Sequence, residues 1–108
     1  MIGHELNETT VEILAEFLPG EPSLDARVRY LLEAELLRKL GQFRRADSAL
    51  TQKYGMSFDD FLEQDVVHHR GYAWDVERDA MNWESAIGGI EMIEARLHEL
   101  RADVDTDA

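Results

Sequence analysis

Residues 23–54 read SLDARVRYLLEAELLRKLGQFRRADSALTQKY, and this stretch decides the fold class. Leu24, Val28, Leu31, Leu32, Leu36, Leu37, Leu40, Phe43, Ala46 and Leu50 recur at steps of three and four as far as Tyr54. That spacing marks one face of an α-helix and not the alternation of a strand. It predicts a single helix of about 30 residues, well beyond the usual length of roughly 11–12. Ser23 follows Pro22 and supplies an N-cap, and Asp25 places an acid in the first turn, where the helix dipole favours it. Gly41 is the weak point. An interior glycine costs about 1 kcal/mol relative to alanine, so the helix is expected to bend there or to let another chain approach closely.

Reading towards the N-terminus, Leu6, Val11, Ile13, Leu14, Phe17 and Leu18 have helical spacing, with Thr9 and Thr10 near the start. Pro19-Gly20-Glu21-Pro22 ends that helix in a turn. Met1 to Asn7, with Gly3 and the acid Glu5, makes a poor strand.

Towards the C-terminus, Tyr54-Gly55 has the form of a helix end. Ser57-Phe58-Asp59-Asp60 then opens a short helix carrying Phe58, Phe61 and Leu62. His68-His69-Arg70-Gly71-Tyr72 reads as a polar connector. From Trp74 to about Arg101 the helical period returns. Here Ala86, Ile90, Ile93, Leu97, Leu100 and Val104 alternate steps of four and three, the seam of a coiled coil. The tail 103–108 is acidic and expected to fray.

The chain is therefore expected to be all-α: helix, turn and long helix, then a short helix and a C-terminal amphipathic helix. Residues 1–53 are assigned to a helical dimerisation region, 54–73 to the turn, short helix and connector, 74–102 to the C-terminal helix and 103–108 to the tail. A chain of 108 residues has difficulty covering two long apolar faces alone, so a homodimer or higher homo-oligomer is expected.

Composition narrows the function. Hydrophobic residues make up 44% and charged residues 31%, too apolar for a disordered acid and too charged for a membrane protein. No apolar run is long enough to span a bilayer and the first residues lack the pattern of a signal peptide, so a cytoplasmic protein is expected. With no cysteine there are no disulfides and no thiolate chemistry.

The net charge of −12 is unevenly spread. Residues 1–25 hold six acids and no base, 26–53 hold seven bases against three acids, and 54–108 hold fourteen acids against four bases. An acid excess with only Lys39 and Lys53 as lysines is the surface expected in a salt-rich, halophilic cytoplasm.

Motifs of chemistry are weak. His68 and His69 are adjacent and would point about 100° apart on a helix, and no HExxH pair exists. Glu94, His98 and Glu99 have the wrong spacing for a di-iron site. Asp75, Glu77 and Asp79 read as a solvated face, and no serine lies in a nucleophile elbow. Neither a cofactor nor an enzymatic activity is expected.

Arg27, Arg29, Arg38, Lys39, Arg44 and Arg45 form a basic helix that would offer itself to phosphates, although the acidic flanks are the favoured partner. Tyr72, Trp74, Met81 and Trp83 cluster at the start of the last helix, as core closure or as a partner hot spot.

One resemblance bears on these residues. Lys53-Tyr54-Gly55-Met56-Ser57-Phe58-Asp59-Asp60-Phe61, followed by Arg70-Gly71-Tyr72-Ala73-Trp74-Asp75-Val76-Glu77-Arg78-Asp79 and on to Glu84, resembles a motif of small prokaryotic antitoxins of type II toxin–antitoxin pairs. These are antitoxins encoded beside TumE-type toxins. The resemblance covers about residues 40–101. It implies neutralisation of a cognate toxin by direct binding through an acidic, aromatic C-terminal half, with Phe58, Phe61, Tyr72, Trp74, Val76 and Trp83 as the partner-binding residues. The competing readings are a homo-oligomeric helical scaffold without a toxin and a dimeric DNA-binding regulator using the helix 27–45.

Overall fold

In a computed structural model the described residues are 6–107, with side chains as far as 103. They form five helices: α1 (Glu8–Phe17), α2 (Leu24–Tyr54), α3 (Phe58–Glu63), α4 (Val66–His69) and α5 (Trp74–Asp107). No strand occurs among the described residues, so the chain is all-α as its periodicity predicts. None of these helices is long and apolar enough to cross a membrane. Residues 1–5, on which the reading of a poor strand partly rests, lie outside the described residues.

The chain divides into two compact units, Met1–Glu35 and Leu36–Ala108. In the first, the Asn7 side chain caps α1 by accepting from the Thr9 N–H at 2.8 Å. Leu14 is its buried residue. Ser23 caps α2 as expected, its Oγ accepting from the Ala26 N–H at 3.1 Å. The Leu18 carbonyl, just past α1, accepts from the Glu21 N–H at 3.2 Å and from Arg27 Nε at 3.1 Å, which ties the start of α2 to the turn.

The second unit is built on the C-terminal part of α2 running antiparallel to α5. The stripe Leu36, Leu40 and Phe43 packs on Ile90, Ile93 and Leu97. Farther along, Leu50 and Tyr54 join a cluster of Phe61, Val66, Val76 and Trp83. The coiled-coil seam therefore finds its partner within the chain. Ala86, Ile93 and Leu97 are buried, while the Val104 side chain lies outside the described residues.

The close approach expected at Gly41 occurs at Gly89. A Cβ at Gly89 would lie 2.5 Å from the Phe43 ring, whereas one at Gly41 would meet only the Arg45 guanidinium at 3.3 Å, and α2 runs through Gly41 unbroken.

Two local expectations hold and two need correction. Gly55 adopts φ 67° past the end of α2, and Ser57 Oγ caps α3 by accepting from the Asp60 N–H at 3.1 Å. The polar connector, however, contains the one-turn helix α4, started by Asp65 in a left-handed conformation at φ 51°. The acidic tail does not end the last helix at 102 either, since α5 continues to Asp107. Nothing from Asp103 to Asp107 is a glycine or proline that would break it.

Candidate partner-binding surface

The resemblance motif resolves into two groups of side chains with opposite roles. The first builds the core. Trp83 is fully buried, with ring centroids 5.1 Å from Phe61, 5.3 Å from Phe58 and 5.9 Å from Tyr54. Its one polar atom is satisfied, Nε1 donating to Asp47 Oδ1 at 2.8 Å. Phe61 and Val76 are buried beside it and Phe58 is half-buried. Phe61, Val76 and Trp83, expected as partner-binding residues, therefore cannot meet a partner without unfolding. Val76 and Trp83 face inward because they continue the seam of α5, and Phe61 closes on that seam from α3.

A polar network seals the edge of this box. Asp79 Oδ2 accepts from Lys53 Nζ and from the Tyr54 hydroxyl, each at 2.6 Å. Those two bonds hold the Asp79 carboxyl below its ordinary range. Burial, and then Asp79, push the Tyr54 hydroxyl up to about 12. The Arg70 guanidinium lies 5.7 Å over the Tyr54 ring. Asp79, expected on a solvated face, is instead only 14% exposed because Lys53 and Tyr54 draw its carboxylate against the box, and no role was expected for Lys53 or Tyr54 beyond their place inside the motif.

The second group is presented to solvent. Gly71 and Tyr72 both have left-handed backbones, φ 68° and 57°, an arrangement unusual for a tyrosine. The turn is held by the Tyr72 N–H donating to the Val67 carbonyl at 2.9 Å and by the Tyr72 ring stacking on His68 at 5.6 Å. His68 is steadied by Asp65, Nδ1 to Oδ2 at 3.0 Å.

Trp74 follows at the start of α5 and is 65% exposed, Tyr72 is 59% exposed and Met81 is 52% exposed. Trp74 and Met81, with Val67, Glu77 and Ala80, line a shallow concavity of about 270 Å³. Of the six expected residues, then, Tyr72 and Trp74 are on the surface. Met81 and Val67 complete the site.

The basic residues of α2 are largely engaged. Arg27 is bound to the Leu18 carbonyl, Arg29 to Asp25 at 2.6 Å and Arg44 to Glu94 at 2.6 Å. Arg38 and Lys39 are exposed and also have interaction partners. Arg45 is exposed. Arg27 and Arg29 belong to the first unit and the other four to the second. Phosphates approaching this helix would compete with carboxylates already in place. Among the described residues no group of three or more histidines and carboxylates is arranged to hold a metal ion.

Comparison of the chain with protein-family models, with curated proteins and with solved structures finds no match.

Proposed function

We propose that this chain is an antitoxin that neutralises a cognate toxin by covering it, and that it acts by binding and not by catalysis. The observation that carries this reading is Trp74, a large aromatic side chain standing 65% exposed on a helix start next to a strained turn. Large exposed aromatics beside a concavity are the anchors most often found at protein interfaces, and backbone strain concentrates where function needs it. The chain's C-terminal half, with fourteen acids against four bases, would steer a basic toxin towards Tyr72 and Trp74. The resemblance of the segment around them to small antitoxins points the same way.

Self-association belongs to the same proposal. Val28, Leu31 and Leu32 are all exposed near the start of α2 and, at steps of three and four, share one face of it that a second copy would cover. A molar mass twice that of the chain by light scattering supports it, and a monomer at micromolar concentration removes it.

The test of neutralisation is co-expression with the product of the neighbouring gene. Tyr72→Ala with Trp74→Ala is expected to melt like the parent protein and to lose growth protection. Full protection by that variant, or a neighbouring gene whose product is harmless when expressed alone, would overturn the proposal.

A further inference from the structure

Helix α5 carries a second seam, on the side away from the core. Trp74, Met81, Gly88 and Ala95 recur every seven residues, with Arg78, Ser85 and Met92 between them, and every one is exposed. Trp74, Met81 and Met92 are 65%, 52% and 59% exposed. This is the a/d spacing of a helix–helix contact, repeated over roughly 30 Å of helix. At its centre a Cβ built on Gly88 would meet nothing within 4 Å, so a neighbouring backbone can come close there. The two methionines are flexible apolar side chains suited to an incoming surface.

One flank of this seam is a column of acids. Glu77, Glu84 and Glu91 lie seven residues apart, in the positions that pair across a helix interface. Among the described residues none of the three has an ion-pair partner, in contrast to Glu94 and Glu99, which are bound to Arg44 and Arg96. A second copy laid antiparallel would set this column against itself. A copy laid parallel would set Glu77, Glu84 and Glu91 against Asn82, Gly89 and Arg96, a single base. The charge pattern thus selects an occupant other than this chain.

We infer that the outer face of α5, from Trp74 to Ala95, docks an amphipathic helix of another protein that brings apolar residues to the seam and lysines or arginines to the glutamate column. The inference rests on the reading of the chain as a protein that works by binding a protein, and it names the element of the partner that is held. Helix-in-groove recognition of this kind is read as anchors at steps of three and four with flanking charges that fix the register.

The test uses the full chain and a designed peptide of about three heptads, leucine at a and d and lysine at e and g, with a counterpart carrying glutamate in place of lysine. Because Trp83 is buried and Trp74 exposed, a blue shift of tryptophan emission reports cover over Trp74. The lysine peptide is expected to bind with that shift and the glutamate peptide to fail. Replacing Glu77, Glu84 and Glu91 together by glutamine is expected to weaken binding about tenfold, the sum of three exposed ion pairs. Met81→Asp with Met92→Asp is expected to abolish it. The equal charge change Glu8→Gln, Glu12→Gln and Glu16→Gln on α1 should leave it unaltered.

Equal binding of the two peptides, an equal loss from the α1 variant, or no effect of the methionine variant would overturn the inference. So would self-association of the chain that the methionine variant destroys, since a second copy would then occupy the seam. Failure of the peptide to bind while Tyr72→Ala with Trp74→Ala still abolishes neutralisation removes this inference and leaves the antitoxin reading standing. Peptide binding with neutralisation intact in that variant does the reverse.

Discussion

Trp83 and Asp47 are joined across the second unit by a hydrogen bond of 2.8 Å, so the most deeply buried side chain has its only polar atom anchored on the opposing helix. We expect Trp83→Ala to cost about 3–5 kcal/mol, because it removes three ring contacts and opens a cavity in a thin core. Trp83→Phe keeps much of the packing and loses the bond, costing about 1–3 kcal/mol. Urea unfolding measures both. If the alanine variant were as stable as the parent, the aromatic box would not be the core.

Neighbouring glycines in α5 should respond with opposite signs. A side chain at Gly89 collides with the Phe43 ring, so Gly89→Ala is expected to destabilise by about 1–3 kcal/mol. Shortening the ring with Phe43→Leu should recover part of that loss. Gly88→Ala places a methyl group in open space and should stabilise by about 0.5–1 kcal/mol through helix propensity. Thermal melts of the two single variants and the double variant decide the matter.

The Lys53–Asp79–Tyr54 network sets a pH window. Asp79 is held below its ordinary value of 3.8, first by the Lys53 hydrogen bond and then by Tyr54. Its contribution is present above that value and is lost as the pH falls through the lower folded value. Tyr54 is pushed from 10.0 to about 12, by burial first and by Asp79 next. Its contribution is complete below pH 10 and drains away as the pH rises towards 12. We expect Tyr54→Phe to cost about 1 kcal/mol at neutral pH and to flatten the alkaline limb of the stability curve. An unchanged alkaline limb in that variant would show that another group titrates there.

Removing salt should loosen the fold. Fourteen acids lie between residues 54 and 108, and Glu77, Glu84 and Glu91 line up on one helix without a base opposite them. The screening length grows from about 3 Å at 1 M to about 10 Å at 0.1 M, which brings these charges into mutual range. The melting temperature is expected to fall over that range. A flat trend would remove the halophilic interpretation of the composition.

The boundaries at Ser23, Gly55 and Ser57 were legible because their signals are local: the two serines cap where their positions suggest, and Gly55 ends α2 in the left-handed region, whereas α4 and the end of α5 carry no such signal. Periodicity also identified the seam of α5. What covers that seam was not legible, because a heptad pattern fits a second chain and a returning helix equally well.

The division of the aromatic motif was partly written in the spacing. Stepping back by sevens from Ile90 reaches Trp83 and Val76, which places both in the buried seam. Trp74 lies nine positions before Trp83, roughly 180° around the helix. The strained turn at Gly71 and Tyr72 left no comparable trace, since the tyrosine's left-handed backbone is imposed by the Val67 carbonyl and the His68 ring.

The antiparallel pairing of α2 with α5 also sets an order of assembly. The Tyr54–Asp79 bond closes a loop of 25 residues, whereas the Arg44–Glu94 pair at the other end closes 50. Closing the shorter loop costs less entropy, so the aromatic box is expected to form first, with the helices zipping from it towards Leu40 and Leu97. The same asymmetry governs undoing. The open end of the hairpin frays first and exposes its amides to exchange and its peptide bonds to proteases while the box is still closed. A cell that must clear this protein quickly has a handle at that end, and a ligand clasped along α5 would shut it.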